Sequence, residues 1–285
     1  MRLRILILDA CDDAGRAALQ RVGCSSAGEL YARTLHAQGM ELALDLGFPT
    51  QADWRAPPLA DYDGLCWTGS NLTIHSRADA AAVAPQVALA RAAFAAGVPQ
   101  FGSCWAAQLA AVAAGGECAA HPRGREFGVA RDIALSPAGR AHPLFAGKPQ
   151  RFDALASHQD QVVSLPPGAK LLASNAWSQV QALEVRHGAG VFWALQYHPE
   201  YDLREIARLC AMRKSELLAQ GHFPDAASAR RFMAHAEALH HTPTRDDLAA
   251  ALRTGPEIRN PTLRTLELRN WLTTQVRSPR FRAGR

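Results

Sequence analysis

The feature that most constrains this chain is the alternation of short apolar runs with helical segments through its first 116 residues. Residues 3–9 (LRILILD) are a continuous apolar run ending in Asp9, the pattern of a buried parallel strand. Strands that alternate with helices predict a parallel sheet covered by helices on both faces. The other elements predicted in this part are strands at 41–47, 61–67 and 98–102 and helices at about 27–39, 80–96 and 105–114.

The rest of the chain shows two different patterns. Residues 117–195 hold short apolar segments broken by Pro and Gly, and the sequence around His187–Gly190 is typical of a hairpin. We therefore expect a mixed sheet with antiparallel strands on one side. From Asp202 onwards the pattern is helical, with Asp225 and Thr244 as candidate N-caps. The predicted helices of this part are 202–219, 225–240, 244–254 and 261–275.

Composition places the chain among globular proteins. Its 285 residues are 48% hydrophobic and 20% charged, enough to bury one α/β core with an appendage and incompatible with a wholly disordered chain. No run of about 18 uncharged apolar residues is present, so no membrane-spanning helix is expected. Arg2 and Arg4 precede an apolar run too short for a signal peptide, and we expect a cytoplasmic protein.

Charge is distributed unevenly along the chain. Residues 1–205 carry 17 Lys and Arg against 19 Asp and Glu, whereas residues 206–285 carry 14 against 7. A solvated tail is the simpler interpretation, and contact with an acidic partner or nucleic acid is the alternative. Nucleic acid is not favoured, because no aromatic residues interleave the basic ones. The last nine residues hold Arg277, Arg280, Arg282 and Arg285.

Six cysteines are present and none belongs to a CxxC pair, so neither a zinc site nor thioredoxin-like chemistry is indicated. Disulfides are not expected without a secretion signal. The informative question is which cysteine is a nucleophile. The six are Cys11, Cys24, Cys66, Cys104, Cys118 and Cys210.

Cys104 lies between a predicted strand and a predicted helix, the setting of a nucleophile elbow. The backbone crowds at such a turn, and Gly102 and Ala106 supply the small residues needed two positions before and after it. A helix N-terminus favours a thiolate, and the Trp105 N–H is placed to face a developing oxyanion. A small core cysteine entering a helix is the alternative interpretation.

His198 and Glu200 strengthen the catalytic interpretation. They lie two apart at the end of the last strand, so in extended chain their side chains project to one face. A carboxylate there can fix the imidazole tautomer while the other ring nitrogen takes a proton from the thiol. Cys104, His198 and Glu200 are therefore the candidate catalytic triad.

Four motifs, in this order, resemble those of class I glutamine amidotransferases, in particular the amidotransferase domain of GMP synthase and its stand-alone relatives. The resemblance covers about residues 1–205 and implies a three-layer α/β sandwich with a mostly parallel, flavodoxin-like central sheet. Residues 206–285 are then a helical C-terminal extension, packed on the catalytic domain or docked beside it. The motifs are Gly102-x-Cys104-x-x-x-Gln108, Arg125-Glu126-Phe127-Gly128, Ser157-His158-Gln159-Asp160 and Gln196-Tyr197-His198-Pro199-Glu200.

The resemblance also implies a mechanism. Cys104 attacks the side-chain amide of glutamine, His198 moves the protons, and a γ-glutamyl thioester forms and is hydrolysed. The oxyanion donors implied are the N–H groups of Gly69 and Trp105, each such donor being worth about 3–4 kcal/mol. Neither a metal nor an organic cofactor is implied, since the thiol supplies the covalent chemistry. The implied substrate-binding residues are Gln108, Ser157, His158 and Gln159.

Two positions depart from the family pattern, and the role of two others has two interpretations. Ala106 stands where the family usually has Gly, and the oxyanion loop is Thr68-Gly69-Ser70 rather than Ser-Gly-Gly-Pro. The methyl of Ala106 is expected to fit a slightly opened elbow. Arg125 and Glu126 either line the pocket or only pin their strand.

The acceptor of the ammonia is not encoded in any motif of this chain. It has no phosphate-binding or pyrophosphatase loop, and residues 206–285 are too few for a synthetase domain. The expected function is a glutaminase that passes ammonia to a separate synthetase. A γ-glutamyl hydrolase acting on a conjugate is the alternative, and a non-catalytic regulator is disfavoured because Cys104, His198 and Glu200 are all present. The C-terminal helices would cap the core, or dock a partner or second copy. Their candidate packing residues are Leu263, Leu266, Leu268 and Trp271.

Overall fold

The computed structural model describes residues 2–277, which fold around a nine-stranded sheet. The order across this sheet is β2-β1-β3-β4-β11-β10-β9-β6-β7, and β5 pairs with β8 in a separate ribbon. The strands are β1 (Leu3–Leu8), β2 (Leu42–Gly47), β3 (Gly64–Trp67), β4 (Gln100–Ser103), β5 (Glu117–Ala120), β6 (Glu126–Leu135), β7 (Arg151–His158), β8 (Asp160–Ser164), β9 (Lys170–Ser174), β10 (Ala182–His187) and β11 (Gly190–Leu195).

The sheet is mixed, as predicted. Strands β2, β1, β3, β4 and β11 are mutually parallel, whereas every pairing from β11 outwards to β7 is antiparallel. The predicted hairpin is confirmed, since His187 pairs with Gly190 across the β10–β11 turn. Parallel strands place their carboxyl ends at one edge, so β4 and β11 deliver the residues that follow them to neighbouring positions.

Helices cover both faces of the sheet and extend beyond it, and a π-helical turn, Leu272–Val276, ends the described chain. The helices are α1 (Asp13–Arg21), α2 (Ala27–His36), α3 (Ala80–Ala95), α4 (Trp105–Ala113), α5 (Pro137–Arg140), α6 (Leu203–Ala219), α7 (Ala226–His241), α8 (Asp246–Leu252), α9 (Pro256–Arg259), α10 (Pro261–Arg264) and α11 (Leu266–Trp271), with 3₁₀ turns at Leu59–Asp61 and Pro143–Phe145.

Each face of the sheet has its own apolar core. On one face α3 and α4 pack on side chains such as Leu6 and Phe192. On the other face α2 and α11 pack on Ile5 and Phe101, and the Trp271 ring lies 5.5 Å from the Phe101 ring. A third cluster joins α6–α9 to β7. Residues 266–276 therefore belong to the main core rather than to a detached appendage.

Several predictions for the C-terminal part are refined or wrong. The N-cap of α8 is Arg245, not Thr244, because the first helical bond runs from Ala249 N–H to the Arg245 carbonyl. Asp225 is confirmed as the cap of α7, accepting from the Ser228 N–H at 2.6 Å. The single helix predicted over 261–275 is three short segments, since Thr265 leaves helical geometry with φ −104° and ψ 17°.

The predicted packing residues of segment 261–275 differ in how far their side chains are buried. Leu268 and Trp271 are fully buried, whereas Leu263 and Leu266 are half-buried. Of the tail arginines, Arg277 is the last described residue, and Arg280, Arg282 and Arg285 lie outside the described residues. Helix α1 was absent from the sequence prediction.

Candidate active site

The backbone turns sharply at Cys104, between β4 and α4. Its φ of 55° and ψ of −97° lie in a region that L-residues rarely adopt, as a nucleophile elbow requires. A Cβ added to Gly102 would lie 2.3 Å from the Trp67 carbonyl oxygen and 2.5 Å from the Ala106 Cβ. The Ala106 methyl is therefore accommodated only because residue 102 has no side chain.

The other cysteines lack this setting. Cys11 lines a cavity beside Cys104, but burial raises the pKa of its thiol to about 12. Burial likewise raises the pKa of Cys24 and of Cys118 to about 12, and that of Cys66 well above the usual range. A thiol with such a pKa stays protonated and weakly nucleophilic at neutral pH.

His198 and Glu200 lie at the same sheet edge as Cys104, both buried. Nδ1 of His198 is 2.6 Å from Glu200 Oε1, which leaves Nε2 as the outward ring nitrogen. Nε2 is buried and has no hydrogen-bond partner within residues 2–277. The imidazole also stacks on the Tyr201 ring, with centroids 3.8 Å apart and planes 3° from parallel.

Opposing forces set the protonation of His198. Burial disfavours the imidazolium, but the charge of Glu200 and the interaction with Cys104 outweigh burial and raise the pKa of His198 to about 9. The structure thus favours a charged imidazolium beside Cys104 at neutral pH.

A second layer of residues, not found by sequence reasoning, holds Glu200 in place. The Ser103 hydroxyl donates to Glu200 Oε1 at 2.8 Å, and the Tyr31 hydroxyl donates to Ser103 Oγ at 2.5 Å. Ser103 directly precedes Cys104, so its position in the motif was a usable signal. Tyr31 carried no such signal, because α2 reaches this site only through tertiary packing.

The loop after β3 faces both Cys104 and His198. A Cβ on Gly69 would lie 2.9 Å from His198 Cε1 and 3.8 Å from Cys104 Cβ. Thr68 Oγ1 donates to the Gly69 carbonyl oxygen at 2.8 Å. Within residues 2–277 neither the Gly69 N–H nor the Trp105 N–H donates to another residue. The two N–H groups that the sequence predicts as oxyanion donors are therefore not used by the described part of the chain.

One cavity beside Cys104, of about 330 Å³, has polar walls. It brings together the predicted Gln108, Ser157, His158 and Gln159, and Ser157 Oγ is buried without a partner among the described residues. The full lining is Ser70, Asn71, Leu72, Thr73, His75, Cys104, Trp105, Gln108, Ala120, Arg125, Ser157, His158, Gln159, Asp160 and Arg213.

Both ring nitrogens of His158 form hydrogen bonds within the protein. Its Nε2 is 2.8 Å from Glu126 Oε2 and its Nδ1 is 3.0 Å from the Asp160 carbonyl oxygen. Glu126 therefore pins the strands that carry the cavity wall. Arg125 lines the cavity, and its Nε donates to Glu216 Oε1 of α6 at 2.8 Å.

A second cavity, of about 520 Å³, is mostly apolar and also has Cys104 in its wall. His198, Glu200 and Tyr201 line this cavity and not the polar one, whereas Cys104 and Ser157 line both. The remaining lining residues are Cys11, Ala14, Gly15, Ala18, Leu19, Ala27, Leu30, Gly69, Ser70, Asn71, Leu209, Met212, Arg213, Ser215 and Glu216.

Residues 2–277 contain no group of three or more His, Cys, Asp or Glu side chains placed to hold a metal ion. No helix in the same range is both long enough and apolar enough to cross a bilayer.

The three-layer α/β fold thus places Cys104 on a strand–helix elbow and the His198–Glu200 pair at the end of the neighbouring strand. Residues 59–211 match the family model "Glutamine amidotransferase class-I". The chain is an enzyme of the class I glutamine amidotransferase family.

Two relatives with different names illustrate the similarity. The chain is 36% identical over 224 residues to a γ-glutamyl-L-1-hydroxyisopropylamide hydrolase from Pseudomonas sp, covering 73% of each protein. It is 34% identical over 152 residues to a GMP synthase from Thermomicrobium roseum, covering 53% of this chain. The match spans only 26% of the length of that synthase.

Solved structures share the fold. A glutamine amidotransferase from Thermotoga maritima superimposes with a TM-score of 0.66 at 18% identity, covering 98% of this chain and 100% of its own. Another, from Methylobacillus flagellatus, gives a TM-score of 0.61 at 19% identity and covers 95% of this chain and 94% of its own.

Proposed function

We propose that this enzyme hydrolyses γ-glutamyl amides through a thioester on Cys104. The thiolate attacks the γ-carbonyl carbon, and the oxyanion accepts hydrogen bonds from the N–H groups of Gly69 and Trp105. The His198 imidazolium gives its proton to the leaving nitrogen as the C–N bond breaks. Neutral His198 then takes a proton from water, which attacks the thioester and releases glutamate and the free thiolate.

The observation that carries the proposal is that Cys104 lines two cavities, one with mostly polar and one with mostly apolar walls. The polar cavity, with Gln108 and Ser157 on its wall, suits the glutamyl portion of the substrate. The leaving nitrogen must lie on the His198 side, because His198 is the group that protonates it. That side opens into the apolar cavity, where Leu19, Leu30 and Met212 suit an aliphatic amine rather than ammonia alone.

The similarity to a γ-glutamyl-L-1-hydroxyisopropylamide hydrolase supports this substrate class, since the name of that relative describes a γ-glutamyl group joined to a small organic amine. The substrate proposed here is accordingly a γ-glutamyl amide of a small aliphatic amine. Leu209 and Met212 of α6 form part of the wall that would contact the amine.

A second candidate is glutamine hydrolysis with transfer of ammonia to a separate synthetase. The similarity to GMP synthases over about half of this chain favours it. Both candidates share the thioester chemistry and differ only in the leaving group. A non-catalytic role does not agree with the site, because Cys104, His198 and Glu200 lie together at one sheet edge.

A substrate panel tests the proposal. The purified enzyme is assayed for glutamate release from L-glutamine and from γ-glutamyl amides of ethylamine, isopropylamine and an amino alcohol. We expect kcat/KM to be highest for the organic amides and lost in Cys104→Ala. The matched control is Cys24→Ala, which removes a buried thiol outside both cavities.

Each outcome of the panel is decisive. Higher kcat/KM for L-glutamine than for any organic amide would favour the glutaminase with a partner synthetase. Acid quenching during turnover should trap a γ-glutamyl adduct on Cys104 by mass spectrometry. No adduct and no glutamate from any member of the panel would exclude the proposed chemistry.

A further inference from the structure

Arg213 of α6 stands at the boundary between the two cavities and lines both of them. Its Nε is buried and has no hydrogen-bond partner among residues 2–277. Its strongest ionic contact in that range is loose, with NH1 3.5 Å from Glu216 Oε2. A guanidinium held at a cavity wall with an unused donor is poised for an anionic ligand.

Arg213 shares its nearest carboxylate with a second guanidinium. Glu216 Oε1 accepts from Arg125 Nε at 2.8 Å, while its other oxygen is the one that lies 3.5 Å from Arg213. The acid that lines the polar cavity, Asp160, has its Oδ1 3.4 Å from His75 Nε2. Burial, followed by the charge of Arg125, lowers the pKa of Arg213.

We propose that Arg213 binds the α-carboxylate of the glutamyl portion of the substrate. This inference rests on the proposed function, which puts the γ-carbonyl at Cys104 and the glutamyl chain in the polar cavity. Arg213 lies beside both, so a substrate bound there can reach it while its γ-carbonyl meets the thiol. The planar guanidinium offers paired N–H donors that match a carboxylate, which an ammonium does not.

The proposal makes Arg213 a specificity residue for free γ-glutamyl compounds. A substrate whose α-carboxylate is absent leaves the buried Nε of Arg213 without a partner. We expect such a substrate to be disfavoured, because a charge-assisted hydrogen bond is lost and a buried donor stays unpaired.

The test crosses an enzyme change with a substrate change. Wild type, Arg213→Met and Arg213→Lys are assayed on the best γ-glutamyl amide and on the 4-aminobutyryl amide of the same amine, which lacks only the α-carboxylate. For wild type we expect kcat/KM to fall about 100-fold when the carboxylate is removed. For Arg213→Met the two substrates should differ by less than about threefold, with the loss appearing mainly in KM.

The control is Lys214→Met, which removes one positive charge from the next position of the same helix, outside both cavities. It should keep the full preference for the carboxylate. Arg213→Lys retains the charge but not the paired donors and should lie between wild type and Arg213→Met. A preference for the carboxylate that persists undiminished in Arg213→Met overturns the proposal, because the carboxylate is then bound elsewhere.

A binding measurement separates this proposal from the proposed function. L-glutamate and 4-aminobutyrate are titrated calorimetrically into Cys104→Ala and into Cys104→Ala/Arg213→Met. Tighter binding of L-glutamate to the single variant, abolished in the double variant, supports the Arg213 site even if no amide is turned over. Equal binding to both variants, or no binding to Cys104→Ala, overturns it.

Discussion

The Ser103 hydroxyl donates a hydrogen bond of 2.8 Å to Glu200 Oε1, the carboxylate oxygen that lies 2.6 Å from His198 Nδ1. One carboxylate oxygen of Glu200 thus contacts both the His198 imidazole and the hydroxyl of the residue next to Cys104. Tyr31 completes the chain by donating to Ser103 Oγ. These contacts couple the strand that carries Cys104 to the segment that carries His198.

Replacing Ser103 by Ala should lower kcat about tenfold with little change in KM, because the hydrogen bond orients Glu200 and touches no substrate. It should also lower the free energy of unfolding by about 1–3 kcal/mol, since the Tyr31 hydroxyl is left buried without an acceptor. Steady-state kinetics and urea unfolding measure the two effects. The double variant Ser103→Ala/Tyr31→Phe should recover stability but not kcat. Recovery of both would show that Ser103 acts only through packing.

The raised pKa of His198 makes Cys104 reactivity depend on Glu200. The charged imidazole lies beside Cys104, and alkylation by iodoacetamide reports the reactivity of that sulfur. Glu200→Gln removes the charge that raises the pKa of His198 to about 9, and alkylation at neutral pH should slow at least about tenfold. Peptide mass spectrometry assigns the label to Cys104. Identical pH profiles for wild type and Glu200→Gln would contradict this coupling.

The His198 imidazole also makes the free energy of unfolding depend on pH. Because the pKa of His198 is raised from 6.5 to about 9, its contribution is fully present below about 6.5 and is lost as pH rises through about 9. Urea unfolding across that window should show a decline in wild type that is smaller in Glu200→Gln.

The sequence alone predicted the elbow at Cys104 and the His198–Glu200 pair. Both follow from local features, the strand–turn–helix order and the two-residue spacing, which do not depend on the rest of the fold. Tyr31 and Arg213 could not be found that way, since only the packing of α2 and α6 over the sheet edge brings them to Cys104. Helix α1 was missed because it is short and polar, and it contains Gly15. That glycine is needed, as a Cβ there would lie 2.1 Å from Asn71 Oδ1.

Gly102 should tolerate no side chain. Gly102→Ala forces the new methyl against the Trp67 carbonyl, and overpacking of this kind costs about 1–3 kcal/mol of unfolding free energy. Activity should fall with it, because the elbow must shift. Ala106→Gly, which installs the family residue, should leave kcat within about threefold and cost at most about 1 kcal/mol for a glycine in a helix. Because Ala106→Gly leaves the carbonyl in place, adding it to Gly102→Ala should rescue only part of the loss. Full rescue would show that the Ala106 methyl, not the Trp67 carbonyl, is the obstacle.

A buried ion pair fastens α11 to the core. Lys148 Nζ lies 3.1 Å from Glu267 Oε1, with the two side chains 3% and 0% exposed, and the Tyr197 hydroxyl donates to the same oxygen at 2.6 Å. Lys148→Met strands a buried carboxylate and should lower the free energy of unfolding by about 3–5 kcal/mol.

The control for that variant is Arg151→Met, which breaks an ion pair with Asp132 whose side chains are 66% and 67% exposed. Its cost should stay below about 1 kcal/mol. Lys148→Met/Glu267→Gln should recover most of the loss, because the carboxamide keeps an acceptor for Tyr197 without a stranded charge. The free energy of unfolding of the three variants is measured by urea denaturation. If Lys148→Met lowers it no more than Arg151→Met does, apolar packing around Trp271, and not the ion pair, holds α11 in place.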